Sequence, residues 1–262
     1  MDFFSKRRLQ RVAGAGGSVE VSESNGVRCL HLGNRTVQSA MRIKQPDRLE
    51  LDYTRCMMAF LLFHPDPRQV LLVGLGGGSL AKFIYRAFPE SASVTVEIDP
   101  RVVAAARAYF FVPADDARLR VEIGDGAAYV VDHPCSCDVL MVDGFDANAQ
   151  VDGLCTQAFY DGCAAALTAN GVFVVNLWGN DSNFETYLKR IGVSFDGLVL
   201  CLPTSGRSNI TVLAFKQSPG APLWRDLRER ARHLETHYDL TFVKFLGALR
   251  DANLHTEKRL LI

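Results

Sequence analysis

The stretch QVLLVGLGGGSLAKFIY, residues 69–85, decides the fold. An apolar run of β-formers ends in glycines at 74, 76, 77 and 78 and passes at Ser79 into the spacing of an amphipathic helix. A strand that enters a helix through a glycine turn is the first unit of an α/β sheet. Its glycines let backbone N–H groups and the helix N-terminus come close to a ligand. A tight turn with no ligand would read the same way at this point. A phosphate-binding P-loop is excluded because no Lys-Ser or Lys-Thr pair follows the glycines. A dinucleotide fingerprint would want Gly or Ala where Ser79 stands.

Working outward, apolar runs recur at 94–98 (VTVEI), 119–123 (LRVEI), 138–142 (DVLMV) and 171–177 (GVFVVNL). Helical spacing falls between them at 79–88, 100–110, 126–132 and 156–168, and again near 182–191. Nearly unbroken apolarity is what strands covered on both faces require, and alternation with helices predicts a parallel doubly wound sheet. GLVLCL and NITVLAF are joined by PTSGRS, too short for a helical crossover, so they form an antiparallel pair. The predicted class is α/β, a methyltransferase-type Rossmann fold in which a parallel sheet is closed by an antiparallel hairpin. Residues 1–48 read as a small β appendage, with SVEVSES, an Asn25-Gly26 turn, VRCLHLG and RTVQSAMRI. A helix, DRLELDYTRCMMAFLLF, leads from it into a nucleoside-binding domain spanning 49–218. Residues 219–262 form a helical tail.

Composition narrows the function. The chain has 262 residues, 48% of them apolar, with 29 basic and 29 acidic side chains. This is enough apolar residue for a large core, and no global field favours nucleic acid or an anionic membrane. CMMAFLLF, the longest apolar run, is far short of a membrane span, and the basic N-terminus lacks a signal-peptide core. The seven cysteines are scattered, which suits a reducing, cytoplasmic setting, and Cys135 with Cys137 do not make a zinc site. His233 and His237 share a helix face without an acidic third ligand, so no metal is expected.

Three strand ends carry chemistry. Glu97 closes the second strand about 20 residues after the glycines, where a carboxylate accepts from both ribose hydroxyls. Asp125, in EIGDGAAY, lies just past the third strand within reach of an adenine amino group, and Gly126 leaves room for the ring. Asp143 and Asp146, in VDGFD, follow the fourth strand. A carboxylate that ends a buried apolar strand is costly without a charged or hydrogen-bonded partner, and an amine substrate would supply one. Asp146 could equally cap the next segment. With no pyrophosphate site evident, a glycine loop, a ribose acid and an adenine acid on three successive strand ends suit an adenosyl sulfonium better than NAD.

From about residue 38 to 215 the order and spacing of RTVQ, LDYTRCMMAFLLFHPDPRQVLLVG, VEIDP, GDGAAY, VDGFD and LCTQAFYDGCAAALTANGVFV resemble the polyamine aminopropyltransferases, the spermidine synthase family. The resemblance implies decarboxylated S-adenosylmethionine as co-substrate, held by Gly74, Gly76, Gly78, Glu97, Asp125 and Gly126 with Gln38 nearby. It implies Asp143 as the base, Tyr53 and Asp146 in the pocket of a small-molecule amine acceptor, and a homodimer. Two positions depart from the family pattern. Gly77 stands where an aspartate usually anchors the distal ammonium, and PTSGRS lacks the usual aromatic between proline and glycine. Both fall on the acceptor side. A methyltransferase using intact S-adenosylmethionine is one alternative, although Leu72 occupies the position where many such enzymes carry an acid. A nucleoside-binding protein that has lost catalysis is the other.

Overall fold

The computed structural model describes residues 7–14, 17–34, 36–144, 151–206 and 208–262. The chain opens with β1 (Arg7–Gly14), β2 (Gly17–Ser24), β3 (Val27–Leu32) and β4 (Ser39–Arg42), which pair antiparallel in that order. The sequence reading lacked β1. RRLQRVAG is a largely exposed edge strand whose charged residues leave little apolar alternation to read. Val19, Val21, Leu30 and Met41 pack this sheet onto Val102, Ala105 and Phe110 of the following domain.

The helix expected across residues 47–63 is shorter and changes type. It comprises α1 (Asp52–Met57) and a 3-10 turn, Met58–Leu62. Met57 through Leu62 are completely buried, so the segment is a plug enclosed on every side, with no exposed face to impose a helical period.

The second sheet is built from β5 (Gln69–Val73), α2 (Ser79–Ala87), β6 (Ala92–Glu97), α3 (Pro100–Tyr109), β7 (Leu119–Ile123), α4 (Gly126–Asp132), β8 (Cys137–Val142), α5 (Gln157–Ala166), β9 (Leu167–Trp178), α6 (Phe184–Ser194), β10 (Val199–Pro203) and β11 (Asn209–Phe215). Its strand order is β10-β11-β9-β8-β5-β6-β7, parallel except for β11, which runs against both neighbours. This is the predicted class. α5 stops at Ala166 rather than 168, because β9 begins at Leu167, whose residue neighbour Cys137 opens β8. Successive residues face opposite ways. Leu72, Met141 and Val174 join one core with α2 and the C-terminal helices, whereas Leu71, Leu140 and Phe173 join the other with α5 and α6.

The helical tail consists of two helices, α7 (Trp224–Tyr238) and α8 (Phe242–Ala252). Asp239 ends α7 in a left-handed conformation, φ 54°, with its N–H donating to the Glu235 carbonyl. Among the described residues no helix is long and apolar enough to cross a membrane. The strand order reverses between β8 and β5, and ligands of open α/β sheets bind at such a switch point, beyond the carboxyl ends of the strands.

Candidate active site

Gly74 leaves β5 with φ 96°, and a side chain there would run into the Asp143 carbonyl just beyond β8. Only glycine permits both the left-handed turn and this close approach. The two strand exits are thereby held together, with the Asp143 N–H donating to the Val73 carbonyl at 2.9 Å. Above them opens a cavity whose wall includes Gly74, Gly76, Glu97, Asp125, Gly126 and Asp143, with Gln38 and Tyr53 closing it from the N-terminal side. Six segments separated in sequence therefore converge.

Gly78 is not on that wall. It caps α2 at φ 67°, and a side chain there would collide with Val112, so this glycine backs the loop from behind. Gly77 is also turned inward: a Cβ would sit 2.7 Å from Ser39 Oγ and 2.9 Å from the Phe110 ring. Gly126 also has a packing role. It lines the wall, but an added side chain would strike Val73, so packing of α4 on β5 requires the glycine.

Glu97 is fastened at both oxygens. Oε2 accepts from the Leu75 N–H of the glycine loop at 2.9 Å, and Oε1 accepts from the Asp99 N–H at 3.0 Å. Each oxygen keeps one lone-pair direction for another donor. Asp125 caps α4, its Oδ1 accepting from the Ala127 N–H at 2.8 Å.

Asp143 holds the centre. Oδ1 accepts from Asn176 Nδ2 at 3.1 Å and Oδ2 from the Tyr53 hydroxyl at 3.0 Å. Desolvation pushes its pKa up to about 6, against the two hydrogen bonds, which pull it down. The Tyr53 hydroxyl is held well above its usual range, first by burial and then by the Asp143 charge. Its oxygen lies 3.2 Å from the Gln38 carbonyl, so one proton has two acceptors to choose between. Beyond Tyr53 and Gln38 lies a second, more open cleft, which these two residues share with the first and which Glu50, Asp52, Asn176 and Trp178 help to line. Asp146 lies outside the described residues.

Sequence reasoning missed Asn176 and Ser39. Asn176 carries the same signal as Asp143, a polar residue near the carboxyl end of an apolar strand, and is 1% exposed. Ser39 Oγ stands 3.3 Å from Ser79 Oγ on the cavity wall, and nothing in its local sequence marks it. Among the described residues no group of three or more His, Cys, Asp or Glu is placed to hold a metal. His233 and His237 stack on each other with ring centres 6.5 Å apart.

A family profile described as the spermine/spermidine synthase domain matches residues 50–220. The polyamine aminopropyltransferase of Chromobacterium violaceum is 42% identical over 257 residues, 98% of each chain. That of Neisseria meningitidis serogroup A is 36% identical over 253 residues, 96% of each. Among solved structures, a spermidine synthase in complex with the transition state analogue AdoDATO aligns with a TM-score of 0.71 at 23% identity, covering 92% of this chain and 88% of that one. Human methyltransferase-like protein 13 in complex with SAH aligns at 0.65 and 28% identity, covering 72% and 93%.

Proposed function

The chain belongs to the spermine/spermidine synthase family, and from that membership and the site's geometry we infer that it is an aminopropyltransferase of polyamine biosynthesis. The donor we propose is decarboxylated S-adenosylmethionine, seated in the cavity between the glycine loop and Asp125. Glu97 would accept from the ribose hydroxyls with the lone pairs its backbone donors leave free. Asp125 would take the adenine amino group on the oxygen not used to cap α4. Gly74 and Gly76 line the path of the sulfonium and its aminopropyl chain, and Gly78 acts indirectly by shaping the loop.

The amine acceptor would enter by the second cleft. The observation that carries this reading is the place of Asp143, a carboxylate raised to about 6 that stands on the donor cavity and is hydrogen-bonded to two residues of the cleft. An amine with a pKa near 10 is almost wholly protonated at neutral pH, so deprotonation is the chief task, and a base poised below pH 7 is suited to it. Asp143 accepts the proton as the amine nitrogen forms its bond to the propyl carbon. The carbon–sulfur bond breaks with its electron pair going to sulfur, and neutral methylthioadenosine leaves. Since the sulfonium is already an activated leaving group, alignment and local negative charge supply most of the remaining acceleration. As Asp143 gains its proton, the Tyr53 hydroxyl can turn to the Gln38 carbonyl, which leaves its oxygen free to accept from the protonated carboxyl.

We further propose a homodimer in which the N-terminal sheet contributes to the interface. Its support is the exposure of β1 at that sheet's edge. A cytoplasmic location is supported by the cysteines, none of which is joined in a disulfide among the described residues. Calorimetry of the purified protein with decarboxylated S-adenosylmethionine, intact S-adenosylmethionine and methylthioadenosine tests the donor assignment. The decarboxylated donor is expected to bind most tightly, and preference for the intact one would overturn the assignment.

A further inference from the structure

The hydrogen-bonded chain that ends on Asp143 begins in the hairpin joining β10 to β11. Asn209, the first residue of β11, donates from Nδ2 to Asn176 Oδ1 at 3.1 Å. Asn176 in turn donates from Nδ2 to Asp143 Oδ1 at 3.1 Å. The main chain of Asn209 is itself tied down, its carbonyl accepting from the Thr204 N–H at 2.9 Å and from the Thr204 hydroxyl at 3.0 Å. Thr204, Ser208 and Asn209 all line the second cleft. A wall of the amine cleft and the carboxylate are thus ends of one short polar chain.

The middle link has a choice that its two neighbours remove together. A carboxamide can present either end, and turning Asn176 over would set its oxygen against Asp143 Oδ1, two acceptors face to face. Asn209 has its NH2 group on the Asn176 oxygen, which leaves the Asn176 NH2 for the carboxylate. We propose that Asn209 is a positioning residue which, through Asn176, fixes the donor that Asp143 receives and so makes the basicity of Asp143 depend on the hairpin walling the amine cleft.

This rests on Asp143 being the base, as argued above. Among the described residues, few groups face Asp143. Tyr53 comes from α1 and Asn176 from β9, while β5 presents only the Gly74 backbone. Among the described residues, Glu97 and Asp125 are the other carboxylates on the same cavity wall, and Glu50 and Asp52 line the adjoining cleft, where they pair with Arg42 and Arg55. Without the Asn176 donor, the ionised form of Asp143 loses one of its two hydrogen bonds and its titration moves upward.

The test reads that titration directly. Carboxyl carbon NMR of the free protein, with the Asp143 signal identified by its loss in Asp143→Asn, gives the midpoint without any need for turnover. Asn209→Ala and the isosteric Asn209→Asp should each raise the midpoint by about one pH unit, the size expected for one hydrogen bond to a charged group. The acidic limb of kcat/KM for methylthioadenosine release should move with it. In an Asn176→Ala background, Asn209→Ala should add nothing, because the relay is already cut. An unchanged midpoint in both Asn209 variants, with only the KM for the amine altered, would make Asn209 a lining residue of the cleft and overturn the proposal. A midpoint that moves as described in a protein that releases no methylthioadenosine would uphold the relay while refuting the assigned reaction.

Discussion

Replacing Asp143 by Asn removes a charge and a proton acceptor while leaving every neighbour a partner. The amide oxygen can accept from Asn176, and the amide NH2 can donate to the Tyr53 oxygen once the tyrosine proton turns to the Gln38 carbonyl 3.2 Å away. The fold should therefore survive, and its stability should change with a defined sign. The Asp143 pKa is raised from its ordinary 3.8 to about 6, so between those values the folded protein keeps a proton that the unfolded chain gives up. Stability falls as pH rises through that window, by at most about 3 kcal/mol at about 1.4 kcal/mol for each pH unit. The Asn variant is spared this loss. It should match wild type near pH 4 and exceed it by about 1–3 kcal/mol at pH 7, seen as a rise of several degrees in Tm. Turnover should fall by about 10²-fold or more, the scale for losing a general base. Methylthioadenosine release by chromatography and thermal unfolding at pH 4, 5.5 and 7 measure both effects on the same preparation. Release at the wild-type rate, or a stability difference that does not grow from pH 4 to 7, would refute the reasoning.

Glu97→Gln should weaken donor binding by about 1.5–3 kcal/mol, and because its NH2 must face either the Leu75 or the Asp99 N–H, it should also loosen the glycine loop. An unchanged dissociation constant in calorimetry would remove Glu97 from the site. Gly77→Asp, which restores the family's usual residue, should not improve diamine use by itself, since its Cβ meets Ser39 and Phe110, an overpacking that costs about 1–3 kcal/mol. Pairing it with Ser39→Gly should recover part of that stability, the Phe110 contact remaining, and a single variant as stable as wild type would contradict the crowding. Lys82 is buried with Nζ donating to the Phe110 carbonyl at 2.7 Å, and burial lowers its pKa to about 8. The folded state thus sheds its proton before the unfolded chain does, so wild type should gain stability relative to Lys82→Met as pH rises from 8 towards 10 in denaturant titrations. A constant difference across that range would count against it.

Where sequence reading succeeded and failed follows from what burial does to a pattern. β5, β6, β8 and β9 were legible because strands covered on both faces must be apolar throughout, and Asp143 stood out against that background. Asn176 carried a weaker form of the same mark, yet its meaning depends on β9 lying beside β8, which brings it within 3.1 Å of the carboxylate. Glycines were harder to interpret. The sequence shows glycines at 77, 78 and 126 but not what lies against them, and a side chain at these positions would meet Ser39 and Phe110, Val112, and Val73 respectively. Periodicity failed over Met57–Leu62 for the opposite reason: burial on every side leaves no polar face to mark the period. At β1 the exposed edge left too few apolar residues to show alternation.

The central claim is that this chain moves an aminopropyl group from a decarboxylated donor to an amine. Incubating the purified protein with decarboxylated S-adenosylmethionine and a short diamine, and identifying the nucleoside and amine products by mass, tests it most directly. The account predicts methylthioadenosine in equal amount with an amine enlarged by one aminopropyl unit. S-adenosylhomocysteine and a methylated amine formed from intact S-adenosylmethionine, with no product from the decarboxylated donor, would contradict it.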